Sequence, residues 1–370
     1  MAALTPDQLS WLERYGFDQK LFASWQKAVK SGAFSPENNV LRATIDAPEP
    51  GSILSLPGGS TKAGKELARL GAEAIGRGEL GVVVLNGGMA TRFGGVVKGT
   101  VPVLTKERSF LALAFEDVLR AQKEHGGRIQ VFLMNSFATE QQTREHLTEH
   151  DWFGLDPAQV HMFNQFVSVR MTRDGKPVLG ADGKVSAYGP GHGDFAGAFR
   201  SSGCLARFLA AGGKWLLVRN VDNLGARISA TLLGHHVKSA KQMTVELAPK
   251  WPGDVGGAPY VVDGKLQLVE HIRFPEGFKP DIVQVFNTNT FWFSAAALDR
   301  EFSLNRYYVE KKAEDKKVVQ IEHLIGEMSL HLDCSYLQVR RSGKDNRFFP
   351  IKTPDDLAAA REEIADLYGA

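Results

Sequence analysis

Cysteine is scarce in this chain. Cys204 and Cys334 are the only two in 370 residues, and they stand in no pairing or metal-ligand spacing. That leaves no disulfide framework and suits a reducing compartment. An excess of charge of one sign is also missing: 44 Lys and Arg face 42 Asp and Glu, a formal net charge of +2. Nothing therefore argues for nucleic acid or an anionic membrane as a bulk partner. No apolar run approaches the roughly 20 residues needed to cross a bilayer. The opening MAALTPDQLSWLERYGF is an amphipathic mixed-charge segment and not a signal peptide, so the expected setting is the cytoplasm. Patterns for nucleophilic or zinc chemistry are absent too, with no HExxH and no Ser or Cys in a nucleophile elbow. His235-His236 reads as straddling surface and core rather than as a metal pair. There is no internal repeat and no low-complexity segment.

What is present fits one large α/β domain, or such a domain with a smaller appendage. Residues 1–80 read as a helical region packed on the core. Thr5 caps a first helix, Asp18 to Ser31 forms a second, and a third begins near Thr61 after irregular chain from Phe34 to Gly59. From Gly81 the pattern becomes strand–loop–helix. Buried-type strands are expected at Val82 to Leu85, Arg128 to Met134, Val160 to Phe163, Lys214 to Arg219 and Met243 to Leu247. Helices are expected at Ser109 to Gly126, Thr139 to His150, Phe195 to Ala211 and Ile228 to Lys241. Asp174-Gly175, Asp182-Gly183 and Asp263-Gly264 signal tight turns. Further on, Val283 to Phe293 reads as strand, Lys311 to Lys317 as a solvated charged loop, Gln320 to His331 as helix and Tyr336 to Arg340 as strand. Thr353 caps a last helix, residues 354–370. The catalytic domain is placed at 81–353. This alternation argues for a mostly parallel sheet covered on both faces, with ligands at the carboxyl ends of the strands.

Chemistry gathers at those ends. Asn86, Gly87, Gly88, Gly94 and Gly95 follow the strand ending at Leu85, with Thr91, Arg92 and Lys98 among or after them. Glycine lets backbone N–H groups approach an anion, and the basic side chains add charge. Neither GxGxxG nor GxxxxGK[ST] can be drawn. Gln165 presents a donor and an acceptor suited to a base edge. Gly189-Pro190-Gly191-His192-Gly193-Asp194 leads into a helix, as an anion site or as a simple capped turn. Asp222, flanked by Asn220 and Asn223, stands where a carboxylate could hold Mg2+ with a polyphosphate, or make an ordinary Asx turn. Lys352 lies before the last helix. Glu270, Asn287 and Asn289 could hydrogen-bond sugar hydroxyls, or form a plain strand edge. Glycine loops, lysines, one aspartate and amides suit phosphoryl or nucleotidyl transfer, where catalysis is mostly positioning and charge stabilisation.

The motifs LNGGMATRFG, MFNQ, GPGHGD, NVDNLGA, GKLQLVE, VFNTNTFWF and PIKT occur in this order. The series resembles the UTP–glucose-1-phosphate uridylyltransferases, or UDP-glucose pyrophosphorylases, of the eukaryotic type, from about Gly81 to Leu357. The resemblance implies a Rossmann-like nucleotidyltransferase core and a reaction of UTP with glucose 1-phosphate giving UDP-glucose and pyrophosphate, with Mg2+. It implies that Leu85, Asn86, Gly87 and Gly88 hold uracil and ribose by their backbone, and that Gln165 and Gly191 read the base. Lys98 and Lys352 would contact the phosphates and Asp222 would bind the metal; Arg92, from the glycine loop itself, is the further catalytic candidate. His192 would contact the sugar phosphate, Asn220 the sugar, and Glu270, Asn287 and Asn289 the hexose hydroxyls. The chain departs from the family at Met89-Ala90-Thr91, at Val97-Lys98 and across 166–188. It is expected to lack the family's C-terminal β-helix, so oligomeric state does not carry over and a monomer is slightly favoured. The same chemistry on N-acetylglucosamine or galactose 1-phosphate, and a non-catalytic UDP-sugar-binding module, are the alternatives.

Overall fold

Every residue of the strand Leu80–Leu85 is buried. Val82 and Val84 enter one hydrophobic cluster with the helices Lys62–Gly76, Phe110–His125 and Ala230–Ser239. Val83 and Leu85 enter another, with the helices Phe195–Ser201 and Cys204–Ala210. Successive strand side chains point to opposite faces, so a strand covered on both sides must be apolar throughout. The computed structural model describes residues 4–369.

The sheet built around this strand has eight members. Their order is Ile53–Ser55, Cys334–Gln338, Met243–Pro249, Val285–Ser294, Trp215–Asn220, Leu80–Leu85, Gln130–Asn135 and Val160–Asn164. Val285–Ser294 runs antiparallel to both neighbours, and every other pairing in this sheet is parallel. The expected mostly parallel mixed α/β sheet is therefore present. The one reversed strand matters for the site, because it brings its amino end, with Asn287 and Asn289, to the edge where its neighbours end. No helix among the described residues is long and apolar enough to cross a membrane.

The first eighty residues enter the fold in two ways. Leu12, Phe17, Phe22 and Val29, on or beside the helices Pro6–Glu13 and Gln19–Lys30, share a third cluster with Val167, Met171, Val319 and Ile321. Ile53–Ser55 forms an edge strand of the main sheet, and Lys62–Gly76 lies on its face.

Three expectations are corrected. The helix over 195–211 is two helices, Phe195–Ser201 and Cys204–Ala210, broken where Gly203 takes a φ of 78°. The helix over 320–331 is the end of a strand, Lys316–Glu322, followed by the short helical turn Ile325–Leu330. The charged loop over 311–317 is the tip of a hairpin, because Tyr307–Ala313 pairs with Lys316–Glu322 through a turn at Glu314 and Asp315, both at positive φ. Charged tip residues concealed the pairing, which is anchored by buried Tyr307, Val318, Val319 and Ile321.

Helices Lys62–Gly76 and Ala230–Ser239 touch backbone to backbone. A Cβ at Gly71 would stand 1.8 Å from the Ala230 carbonyl oxygen, and one at Gly234 1.8 Å from that of Leu67. Either glycine-to-alanine change must push the helices apart. Gly234→Ala is expected to lower stability by about 3 kcal/mol, at the upper end of overpacking effects. Urea unfolding checks this, and a loss below about 0.5 kcal/mol would show that the two helices slide freely.

Candidate functional site

A cleft of about 750 Å³ opens at the carboxyl edge of the parallel strands. Three chain segments bring their charges to it. Lys98 follows the glycine loop, Asp222 follows the strand Trp215–Asn220, and Lys352 precedes the helix Pro354–Tyr368. Backbone bonds tie the second and third together: Ile351 N–H donates to the Asp222 carbonyl at 3.1 Å, and Leu224 N–H to that of Phe349 at 3.0 Å. The Asn223 side chain adds a clamp, its Oδ1 accepting from Phe349 N–H at 2.8 Å. Lys98 joins them through Nζ, which donates to the Ile351 carbonyl at 2.6 Å. Its ammonium lies 4.4 Å from the centre of the Phe93 ring.

These charges perturb one another. Burial raises the pKa of the Asp222 carboxyl, and Lys98 and Lys352 pull it back down. Burial lowers the pKa of Lys98, Asp222 and Asp356 oppose that, and Arg92 and Lys352 add to it. Two lysines and an arginine around one carboxylate leave the cleft electropositive, which suits a polyphosphate. Lys352 itself is exposed, while its N–H donates to Asp356 Oδ2 at 3.0 Å.

The glycine loop is partly ordered as a small ribbon in which Met89–Ala90 pairs with Val96–Val97, with Arg92 in the connection and facing the cleft. Leu85, Gly87 and Gly88 line the cleft, but Asn86 does not. Its fully buried side chain donates to Asn135 Oδ1 at 2.8 Å and to Thr143 Oγ1 at 2.9 Å, making it a strut under the loop. The Gln165 amide lies between Gly87 and Gly189, 2.8 and 2.1 Å from where their Cβ atoms would stand. Larger residues at either position would displace it.

His192 also reaches the cleft. Ile325 N–H donates to its Nδ1 at 3.0 Å. An imidazole accepting at Nδ1 carries its proton on Nε2 when neutral. Burial, with His323 nearby, pushes its pKa down to about 4, so at neutral pH it is an uncharged donor. Gly191, at a φ of 111°, makes this approach possible, since a Cβ there would stand 2.4 Å from the His323 carbonyl oxygen.

Asn220 lines the cleft and accepts from Asn289 Nδ2 at 2.9 Å. Asn289 has a φ of 56°, a left-handed conformation that asparagine tolerates, and lies where the pairing of Val285–Ser294 with Met243–Pro249 shifts register. Glu270, Asn287 and Asn289 flank the cleft rather than line it as it stands. Gly257 crowds Glu270, and Asn287 N–H donates to the Gly257 carbonyl at 2.7 Å.

Burial and the neighbouring Glu327 push the Glu270 carboxyl up to about 7, with a hydrogen bond from Asn287 pulling the other way. The folded state thus holds this proton more tightly than the unfolded chain, whose carboxyl has its ordinary value of 4.5. Stability therefore falls as pH rises from 4.5 through 7. Glu270→Gln is expected to unfold about 1–3 kcal/mol harder than the parent near pH 8, with the gap closing towards pH 5. Melting curves at both pH values check this, and a gap that does not depend on pH would assign the change to something other than the buried charge.

Sequence reasoning missed several cleft residues. Ser136 could have been found, because it directly follows the strand Gln130–Asn135, and its hydroxyl donates to the Gly87 carbonyl at 2.9 Å. Arg170, Tyr188, Lys311, Gln320 and Glu322 carried no signal. They arrive through the Tyr307–Glu322 hairpin and the irregular chain facing it, and Lys311 pairs with Glu322 there.

Fold and site together define a doubly wound α/β protein with an electropositive carboxyl-edge cleft that brings two lysines, an arginine and an aspartate beside a side-chain amide. A family model described as UTP--glucose-1-phosphate uridylyltransferase matches residues 52–368. The chain belongs to this family. It is 31% identical over 304 residues to the Solanum tuberosum UTP--glucose-1-phosphate uridylyltransferase, a match covering 78% of this chain and 62% of that protein. The Musa acuminata protein of the same name is 29% identical over 301 residues, covering 77% of this chain and 63% of its own. This chain thus spans somewhat under two thirds of the length of these relatives. Among solved structures, UDP-glucose phosphorylase from Trypanosoma brucei superposes with a TM-score of 0.76 at 23% identity, over 96% of this chain and 79% of that one. The uridine diphosphate N-acetylglucosamine pyrophosphorylase of the same organism gives 0.75 at 20% identity, over 97% and 85%. At such identities the likeness is one of fold.

Proposed function

We propose that this protein transfers the uridylyl group of UTP to glucose 1-phosphate. A phosphate oxygen of the sugar phosphate attacks the α-phosphorus, the bond to the bridging oxygen breaks, and pyrophosphate leaves. The observation that carries this reading is the convergence of Lys98, Asp222 and Lys352, from three separate segments, beside Gln165 and Gly191. The attacking oxygen is already ionised at neutral pH, so no general base is needed. What the reaction does need is an offset to the repulsion between two anions.

In this reading Leu85, Gly87 and Gly88 offer backbone groups to uracil and ribose, and Gln165 reads the base. Lys98, Lys352 and Arg92 face the phosphates from different sides. His192 gives an uncharged Nε2–H to the sugar phosphate, and Asn220, held by Asn289, gives its amide. In the same reading Glu270 and Asn287, beside the cleft, are the groups for the hexose hydroxyls.

Mg2+ fits the donor set in a particular way. Among the described residues no three His, Cys, Asp or Glu side chains come together as a metal cage. A lone carboxylate on a cleft built for phosphates suits a hard cation that takes its remaining oxygens from nucleotide and water. Asp222 would hold it, and the ion would supply charge neutralisation between the phosphates.

The test is pyrophosphate release from UTP and Mg2+ with a panel of sugar 1-phosphates, and with ATP and TTP as controls. Release with glucose 1-phosphate and UTP is expected. Release only with N-acetylglucosamine or galactose 1-phosphate would keep the chemistry and move the substrate. UDP-glucose binding without any release would replace the enzyme by a binding module.

A further inference from the structure

A second cavity of about 370 Å³ lies back to back with the cleft. The two share their wall. Along three segments, neighbouring residues face opposite ways: Gln165, Gly191 and Glu322 line the cleft, while Phe166, Gly193 and His323 line the second cavity. One thickness of chain separates them, and it includes the loop that presents His192. This volume lies within the range of small-molecule sites.

The lining has two parts. Phe17, Trp25, Phe166 and Phe302 give an aromatic surface, much of it supplied by the N-terminal helices. Arg200, Arg300 and Arg306 add charge. Of the acidic groups at the cavity, Asp18 caps a helix by accepting from Leu21 N–H at 2.8 Å. Glu301 is 92% exposed and meets Arg200 at 3.3 Å. Asp194 Oδ1 is bound to His323 Nε2 at 2.5 Å. Arg306 can only donate, and it does so to His323 Nδ1, so the ring proton sits on Nε2 and points at Asp194.

Two groups keep unused hydrogen-bonding capacity. Arg306 is half-buried, with its guanidinium 5.8 Å from the centre of the Trp25 ring. It forms no carboxylate salt bridge among the described residues, and burial lowers its pKa. A guanidinium has five N–H donors, and a partly dry one with an aromatic neighbour is a strong site for a planar or tetrahedral anion. Asp194 Oδ2 is buried without any hydrogen-bond partner. It has room to accept from a hydroxyl.

We propose that this cavity is a regulatory site for a small ring-bearing organic anion, a phosphate or carboxylate carried on an aromatic or heterocyclic ring. The anion pairs with Arg306 and Arg300, and the ring stacks among Trp25, Phe166 and Phe302. Pairing with Arg306 draws it off His323 Nδ1. His323 holds the cleft loop by three bonds: its ring to Asp194, its N–H to the Pro190 carbonyl at 2.9 Å and its carbonyl to Gly193 N–H at 3.1 Å. Occupancy of the cavity is thereby felt by Gly191 and His192 on the other side of the wall. Binding in the cavity stands independently of the proposed function, whereas its effect on nucleotide binding rests on that reading.

The test is calorimetric titration of the protein with 1-naphthyl phosphate, alongside naphthalene and inorganic phosphate as half-ligands. The parent protein is expected to bind 1-naphthyl phosphate. Arg306→Gln and the exposed Arg300→Ala should each weaken it by about tenfold. Lys352→Ala, which removes a cleft cation, should leave it unchanged. UDP-glucose affinity should shift by about fivefold when the cavity is filled. No binding, full binding in a folded Arg300→Ala protein, equal binding of inorganic phosphate, or loss in Lys352→Ala would overturn the site. An unmoved UDP-glucose affinity would overturn its regulatory role. A protein that binds 1-naphthyl phosphate as expected but not UDP-glucose would refute the proposed function and leave the cavity standing.

Discussion

Lys352→Ala is expected to slow pyrophosphate release about a thousandfold, the scale seen when one preorganised group is removed from a transition state with concentrated charge. Its fold should survive. The side chain is exposed, and the structural task at this position belongs to the backbone, whose N–H meets Asp356, and to Thr353, which caps the following helix. Melting should therefore shift by no more than about 2 °C. The pairing of large kinetic and small thermal effects is the discriminating result, since a structural lysine would move both. Asp222→Asn should lose rate similarly and lose its response to Mg2+. Steady-state release of pyrophosphate with UTP and glucose 1-phosphate measures each, and near-parental rates in both variants would remove the proposed mechanism.

The second large effect lies under the cleft. Glu246 has no exposed surface, yet its carboxylate accepts from Arg347 Nε at 2.9 Å, Arg347 Nη2 at 2.7 Å and Trp292 Nε1 at 2.8 Å. Arg347→Met leaves that carboxylate with one neutral donor, and a stability loss of about 3–5 kcal/mol is expected. Changing Glu246 to Gln as well should recover much of the loss, because the buried charge is then gone. Urea unfolding of the single and double variants reads this out, and additive losses would show that the pair is not coupled. Arg347 also begins the chain that leads to Lys352, and its carbonyl accepts from Asn223 Nδ2 at 3.2 Å. Turnover in the single variant should therefore fall even under conditions where it remains folded.

Much of the site was legible in advance because its parts are local. A glycine-rich loop after a buried strand, an aspartate at a strand end and a lysine before a capped helix each follow from a few adjacent residues. The doubly wound rule then gathers them at one edge. Asn86 shows where this stops. The expectation there concerned its backbone; what local pattern did not show is that its side chain serves as a strut, with the amide bound to Asn135 and Thr143, two residues from other segments.

The hairpin over 307–322 was unreadable for a related reason. Its charges lie at an exposed turn, while the side chains that make it a strand are buried against the first two helices and the chain at 167–171. The two strands pair locally across a short turn, but the groups that bury their apolar side chains stand more than a hundred residues away, so the charged tip masked the hairpin and the cleft residues it carries were not found.

The sequence by itself determined the layered α/β class, the succession of buried strands and helices along the chain and the candidate residues for a phosphate site, because periodicity, glycine and capping act over short stretches. Only the tertiary structure decided which of those residues share a cavity, which proton sits on His192 and His323, and that a second cavity backs onto the first. Each of these depends on groups distant in the chain competing for the same hydrogen bonds and the same space.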